Sequence, residues 1–428
     1  MTKVILQVYP ALGAEDKMAA MRPIGRNNDA YQDMLKGLIE VSKAADDLGY
    51  WGITHVEHHA HTEGMEISPA PLMLNIYAGM HTKRLMHGQL GLVLPAHDPI
   101  RLAEEIAIAD HMLKGRLFVG MARGYQARWQ NVLCQRFNVT STASDGSDAD
   151  QRNRLLFSEN FKIMKKAWTE DLLTYNGPTY QVPYPYDEGI PNWPPAKTIT
   201  SRYGVPGEVD ENGTIRGMGV VPKPYTTPHP QLFQAFGASP STLEWCGKEN
   251  VTPTILMGDR RILRQLMEIY IQGAESAGRS PKFGEGIGVC RTFYIFPNGT
   301  SADTVEARIA ESVRKYEEPV WRGWYEQFGF MEGARLQGEE GPVPAPGETL
   351  KERLTKSGLL IGGTVDDVKR QVESFLQELP IDYFVWLFHW GMIPREEALP
   401  MLELFATEIM PEFGMDASSL EAAAATGA

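Results

Sequence analysis

Four of the ten histidines in this chain fall in one short run, His55-Val56-Glu57-His58-His59-Ala60-His61. Neutral imidazole moves protons near pH 7 and ligates metals, so the run can serve either chemistry. As a metal site, His59-Ala60-His61 would be an HxH pair needing further ligands, with His97, Asp98 and His389 as candidates. None of these has tight local spacing. As an acid–base site, one histidine is the proton donor or base and Glu57 helps to orient it. The plainest alternative is that one or two of the rings only make hydrogen bonds inside the fold. Two further groups bear chemistry. Arg123, followed by Gly124, offers a bidentate fork to an anion, or else a salt bridge to a nearby carboxylate. Gly237-Ala238-Ser239-Pro240-Ser241-Thr242 places hydroxyls at a helix start. One of them is explained by capping, and together with free N–H groups they form a phosphate seat.

These residues must be positioned by regular elements, and the hydrophobic pattern supplies them. Strand-like apolar runs occur at 4–9, 51–57, 89–94, 117–122, 232–236, 251–257, 289–296 and 382–388. Helical periodicity occupies 31–48, 69–82, 100–112, 155–168, 262–277, 365–379 and 396–410. Eight strands alternating with helices predict an α/β fold, a (β/α)8 TIM barrel in a single domain. A doubly wound sheet is the alternative, weakened by the absence of GxGxxG after the first strand and of a Walker-A loop. In a barrel, chemistry gathers where strands end, and the polar groups above lie at such ends. Residues 175–230 are dense in Pro, Gly and Tyr and read as an insertion or lid. Residues 338–346 look disordered. The barrel domain is expected over 1–416, with insertions at about 138–153, 184–221 and 316–358, and 417–428 as a flexible tail.

Composition narrows the partners. Across 428 residues, 41 Lys+Arg against 54 Asp+Glu give a net charge of -13, which argues against nucleic acid. No apolar run approaches a membrane span, and the N-terminus shows no secretory pattern. Cys134, Cys246 and Cys290 lie far apart without a CxxC pair. A disulfide framework and structural zinc are therefore not expected, and a reducing cytoplasm fits.

An ordered series of motifs carries a resemblance. Glu57-His58-His59 is followed by Leu94-Pro95, Pro99, Arg101-Leu102-Ala103-Glu104-Glu105, Asp110, Gly115-Arg116, Gly120 and Arg123-Gly124. Pro228-His229-Pro230, Ala238-Ser239-Pro240-Ser241-Thr242, Ile361-Gly362-Gly363-Thr364 and Glu408-Ile409-Met410-Pro411 come later. The series, over about residues 3–414, resembles the bacterial-luciferase-like flavin monooxygenases. That resemblance implies a TIM barrel using reduced FMN from a separate flavin reductase and O2, by way of a C4a-peroxyflavin, to oxygenate an organic substrate. The flavin carries the oxygen chemistry, while the protein supplies position and dryness. By motif position His58 matches the catalytic histidine, and His59 would support it. Leu90-Gly91 matches the segment against the isoalloxazine, where the family has a non-proline cis bond. Glu104 matches a flavin-side acidic position, and Arg123, Ser239 and Thr242 match the phosphate clamp. No metal is implied, and a homodimer is usual in the family. Ala122 stands where luciferase alpha chains have a reactive cysteine, so light emission is not implied. Trp321, Trp324 and Tyr325 fall where the family has a mobile loop, and they suit an apolar lid. The substrate expected is medium-sized and largely apolar. Three alternatives are an F420-dependent hydride-transfer enzyme of the same fold, a metal-dependent barrel hydrolase and a non-catalytic partner subunit.

Overall fold

A computed structural model describes residues 1–142 and 144–415; the expected tail at 417–428 lies outside the described residues. Two compact units emerge. The first comprises Met1–Gly91, Phe118–Gly120 and the described part of Gln231–Ala428, and the second Leu92–Leu117 and Met121–Pro230.

Eight strands form a closed parallel ring in the first unit. They are β1 (Lys3–Val8), β2 (Gly52–His55), β3 (Met86–Gln89), β4 (Leu117–Ala122, of which Phe118–Gly120 belong here), β5 (Gln231–Gln234), β6 (Thr252–Ile255), β7 (Gly288–Phe296) and β8 (Tyr383–Phe388). Their order around the ring follows the chain. β8 closes it on β1, Tyr383 opposite Lys3 through Phe388 opposite Val8. This is the predicted (β/α)8 barrel. Its strands are buried on both faces, so they read as apolar runs rather than alternating ones. One mouth is plugged by Trp51, Phe118, Phe233 and Tyr383, with ring centroids 5.0–6.5 Å apart. The Lys3 ammonium lies 5.5 Å over Trp51 and 5.0 Å over Tyr383.

Two strands depart from expectation. The third is expected at 89–94 but lies at Met86–Gln89, and Leu92–Val93 is a separate short strand. Met-His-Gly-Gln is not an apolar run, yet Gly88 is required because a side chain there would overlap the Phe118 ring. Leu360–Thr364, expected only to open a helix, is a strand paired with Thr292–Phe296 at the far end of β7. Residues 338–346 are tied down. The buried Arg353 guanidinium grips Glu339 with two donors, at 2.7 and 2.8 Å, and donates to Glu348 at 2.8 Å. Arg335 donates to the Glu339 and Gly341 carbonyls at 3.1 and 3.0 Å.

The second unit is built on the helices Pro99–Leu113 and Asp148–Thr169. Trp168 Nε1 donates to Ala103 O at 3.0 Å, and Asn160 Nδ2 to Leu94 O at 2.8 Å. The second helix begins seven residues before its expected start at 155, because Ser147 caps it by accepting from Asp150 N. Most of 138–153 is therefore loop and first helical turns. The residues from 170 to 230 carry an antiparallel pair, Tyr175–Asn176 with Gln181–Val182, and a π-helical turn, Ala196–Thr200. Thr226 N anchors this stretch by donating to Asp110 Oδ2 at 2.7 Å.

Candidate active site

The end of β2 delivers His55 and the residues after it to the barrel mouth. His55 itself is fully buried, and burial depresses its pKa to about 4, against the opposing pull of the Val8 main chain. It is neutral at ordinary pH. The sequence suggested that Glu57 helps to orient one histidine of the run, and in the structure that histidine is His59. Glu57 accepts from His59 Nε2 at 3.0 Å. The partner of His58 is Glu66, with Nδ1 and Oε2 2.5 Å apart and both side chains buried. The chain reverses between the two: Ala60 and Glu66 both have left-handed backbones, φ 60° and 49°. Ser68 O then accepts from His58 N at 3.3 Å.

More groups converge on this pair. The ring of His61 stacks on that of His58 at 5.1 Å and on Trp324 at 4.8 Å. His61 Nδ1 donates to Met65 O at 2.8 Å, which fixes its proton on that nitrogen. From the end of β8, His389 Nε2 donates to Glu317 Oε2 at 3.1 Å, and its ring stacks on Tyr9 at 5.2 Å. Tyr294 and Trp321 also donate to Glu317, each at 3.1 Å. Burial opposes charge on His389, yet the Glu317 and Glu66 carboxylates outweigh it and raise its pKa. Burial likewise opposes charge on Glu66, but His58, His61 and His389 outweigh it and lower its pKa. Beside the Glu57–His59 pair, Glu66 and Glu317 thus lie among His58, His61 and His389, a charge-compensated cluster.

The predicted metal pair His59–His61 does not form, because His59 turns to Glu57. The ligand atoms of His58, His61 and Glu66 do lie within 4.8 Å of one another. His58 Nδ1 and Glu66 Oε2, 2.5 Å apart, are placed as an ion pair. Asp98, another candidate ligand, caps the helix at Pro99 by accepting from Ile100 N and Arg101 N, and accepts from Tyr180 OH at 2.8 Å.

Leu90–Gly91 is a cis peptide bond, the non-proline bond that the resemblance implied. Leu90 N donates to His55 O at 2.9 Å, which ties this segment to the end of β2. After β5, Phe236 takes a left-handed backbone (φ 48°), uncommon for a bulky residue, and the helix Pro240–Glu249 follows. Ser239 is its cap, accepting from Thr242 N at 3.3 Å, and the Ser239 and Thr242 hydroxyls lie 2.8 Å apart. Ser239 and Ser241 are exposed, so hydroxyls and the positive end of a helix face outward together. This donor set fits a phosphate group.

In the second unit, Glu104 is half-buried on the helix Pro99–Leu113. Arg123 takes the salt-bridge alternative. Nη1 donates to Asp150 Oδ1 at 2.8 Å, and Nη2 to Ser144 Oγ at 3.1 Å. Burial lowers its pKa, against the pull of Asp150. Glu66 and Glu317 have no local signature in the sequence, since each meets its histidine only through the fold.

A sequence profile of the family described as luciferase-like monooxygenase matches residues 18–383. The chain is 23% identical to 3,6-diketocamphane 1,6-monooxygenase of Pseudomonas putida over 345 residues, 79% of this chain and 82% of that one. It is 31% identical over 147 residues to the oxygenase component of the flavin-dependent trigonelline monooxygenase of Acinetobacter baylyi, 34% of this chain and 37% of that one. Its fold matches the crystal structure of the oxygenating constituent of 3,6-diketocamphane monooxygenase from Pseudomonas putida, a type II Baeyer-Villiger monooxygenase in complex with FMN. The TM-score is 0.68 at 19% identity, covering 96% of this chain and 99% of that one. The barrel and a profile match over most of the chain agree: this protein belongs to the luciferase-like monooxygenase family and is an oxygenating oxidoreductase.

Proposed function

We propose that the chain is the oxygenase of a two-component system. It takes FMNH2 from a separate flavin reductase and uses O2 to oxygenate a medium-sized, largely apolar substrate. One oxygen atom enters the substrate, and the other leaves as water with the two electrons of the flavin. The observation that carries this reading is the buried His58–Glu66 pair at the barrel mouth. The relatives named for diketocamphanes favour a ketone, which would become an ester or lactone. The relative that is an oxygenase component supports a separate reductase.

Bound FMNH2 would supply the electrons that activate O2, at its C4a carbon. The chain's own groups do the rest. The hydroxyls of Ser239 and Thr242, at the helix start, hold the phosphate. Leu90–Gly91 forms the wall for the flavin ring, and Glu104 is a further flavin-side group. His58 presents Nε2 as the atom that gives or takes a proton, and His59, held by Glu57, supports it. Trp321, Trp324 and Tyr325 keep water from the histidines. A second copy of the chain is the proposed partner for the helix Pro71–Gly79, which leaves Met73 and, just beyond it, Met80 more than two-thirds exposed. Among the described residues no helix is long and apolar enough to cross a membrane. A cytoplasmic site of action is part of this reading.

The test mixes anaerobic enzyme and FMNH2 with 18O2 in the presence of camphor or decanal. One 18O atom per product molecule is expected. His58→Ala should abolish product while leaving FMNH2 affinity within about two-fold. Absence of product from every probe, with F420 bound and reduced or oxidised instead, would replace this reading with hydride transfer.

A further inference from the structure

We propose that Glu66 is the positioning residue for His58: its carboxylate holds the proton on Nδ1 and so dedicates Nε2 to the reaction. This rests on the proposed role of His58 and assigns a residue that the Glu57-His58-His59 motif does not contain.

Three independent features support it. The first is geometry. A carboxylate anion only accepts, so the 2.5 Å approach of His58 Nδ1 to Glu66 Oε2, an ion pair not aligned as a hydrogen bond, favours a proton on Nδ1 over a lone pair facing the anion. In the neutral ring, Nε2 is then the lone-pair nitrogen, and in the cation it is the second donor. The second is backbone conformation. Glu66 is a non-glycine residue at φ 49°, a conformation that L side chains rarely adopt. Met65 on one side donates no side chain to the pair, but its carbonyl binds His61, and Ser68 N returns to Glu66 O at 2.9 Å. The turn therefore spends an unfavourable backbone to aim this carboxylate inward. The third is charge. The charges that act most strongly on Glu66 are those of groups that can become cationic: His58, His61 and, from the end of β8, His389. The buried carboxylates of Glu57 and Glu317 are occupied, Glu57 by His59 and Glu317 by His389, Tyr294 and Trp321. Glu66 is thus held as an anion, the form that the tautomer needs.

The first measurement uses the wild-type protein without flavin or substrate. Long-range 15N–1H spectra of the imidazoles, assigned through His58→Gln, should show His58 protonated at Nδ1. A His58 protonated at Nε2 alone would overturn the proposal, whatever the enzyme's substrate. The second uses Glu66→Gln and Glu66→Asp with FMNH2, O2 and camphor or decanal. The amide of Gln can donate to Nδ1 as well as accept from it, so Glu66→Gln should release the strict preference for Nδ1 and let part of the His58 proton move to Nε2. It should also lower kcat by roughly ten- to hundred-fold, with KM and FMNH2 affinity nearly unchanged. Glu66→Asp, which keeps the acceptor, should keep the Nδ1 proton and recover part of kcat. Unchanged kcat in Glu66→Gln, or equal loss in both variants with the tautomer unmoved, would overturn it. If the wild type gives no oxygenated product at all, the monooxygenase reading fails while the tautomer result still stands on its own.

Discussion

Arg123 and Asp150 are 27 positions apart, and Nη1 donates to Oδ1 at 2.8 Å, with Asp150 almost wholly buried. Burial would raise the Asp150 pKa, but bonds from Thr142 and Arg123 outweigh it and hold the carboxyl at about 2. An unfolded aspartate titrates near about 3.9. The stability this group contributes is therefore complete above about pH 4 and is lost as pH falls toward about 2. The stability gap between wild type and Asp150→Asn, from urea unfolding, should be wide at pH 6 and narrow across that window. A gap that stays constant down to pH 2.5 would show that the ion pair contributes nothing. Because Arg123 is engaged in this way, Arg123→Ala should also destabilise the fold, and not act on flavin binding alone.

Ser239 separates capping from phosphate binding. Asp caps helices about as well as Ser, so Ser239→Asp should leave thermal stability nearly intact. It also sets a negative charge among the hydroxyls proposed to hold the phosphate. FMN affinity should fall by at least about ten-fold, while riboflavin, which lacks the phosphate, binds as before. Equal loss of both ligands, or of neither, would remove the phosphate from this helix start.

Much of this was legible because barrel physics writes itself into the sequence. Strands such as β1 and β8 are buried on both faces and show as runs of mainly apolar residues, Val4 to Val8, broken only by Gln7, and Phe384 to Phe388. The order of strand ends then put His58 in the loop after β2 and Ser239 at the helix start that follows β5. What escaped was set by contacts between distant segments. β3 was misplaced because its burial depends on a ring, that of Phe118, from the next strand. Leu360–Thr364 hides as a strand because two glycines break its pattern, and only the overhang of β7 recruits it. The motif did not say which histidine Glu57 would orient, and successive residues of an extended segment point to opposite sides. Glu57 therefore meets His59, two residues on, and His58 takes the carboxylate brought round by the turn at Glu66.

Trp324 covers His61. Its ring stacks at 4.8 Å, and its Nε1 donates to Met65 Sδ at 3.2 Å. Removing the ring admits water to the cluster without touching Glu57, His58 or His59. Trp324→Ala should therefore keep FMNH2 binding and oxygen consumption but divert turnover to hydrogen peroxide. The ratio of peroxide to oxygenated product, measured against wild type, reads this directly. An unchanged ratio would mean that Trp324 does not shield the histidines.

Arg353 holds the 338–348 loop from a position with no solvent exposure. Its guanidinium bonds Glu339 and Glu348, and Lys356 lies farther off, at 3.9 and 4.0 Å. Breaking a buried pair from one side leaves charge without compensation, a cost of about 3–5 kcal/mol. Arg353→Met keeps most of the volume and removes the charge, so urea unfolding should report a loss of that size. Adding Glu339→Gln and Glu348→Gln to the same chain should recover part of it, because no carboxylate is then left beside an apolar side chain. Limited proteolysis should cut first within 338–348 in the single variant and more slowly in the triple. A loss below about 1 kcal/mol, the scale of an exposed pair, would mean that solvent reaches and screens these carboxylates.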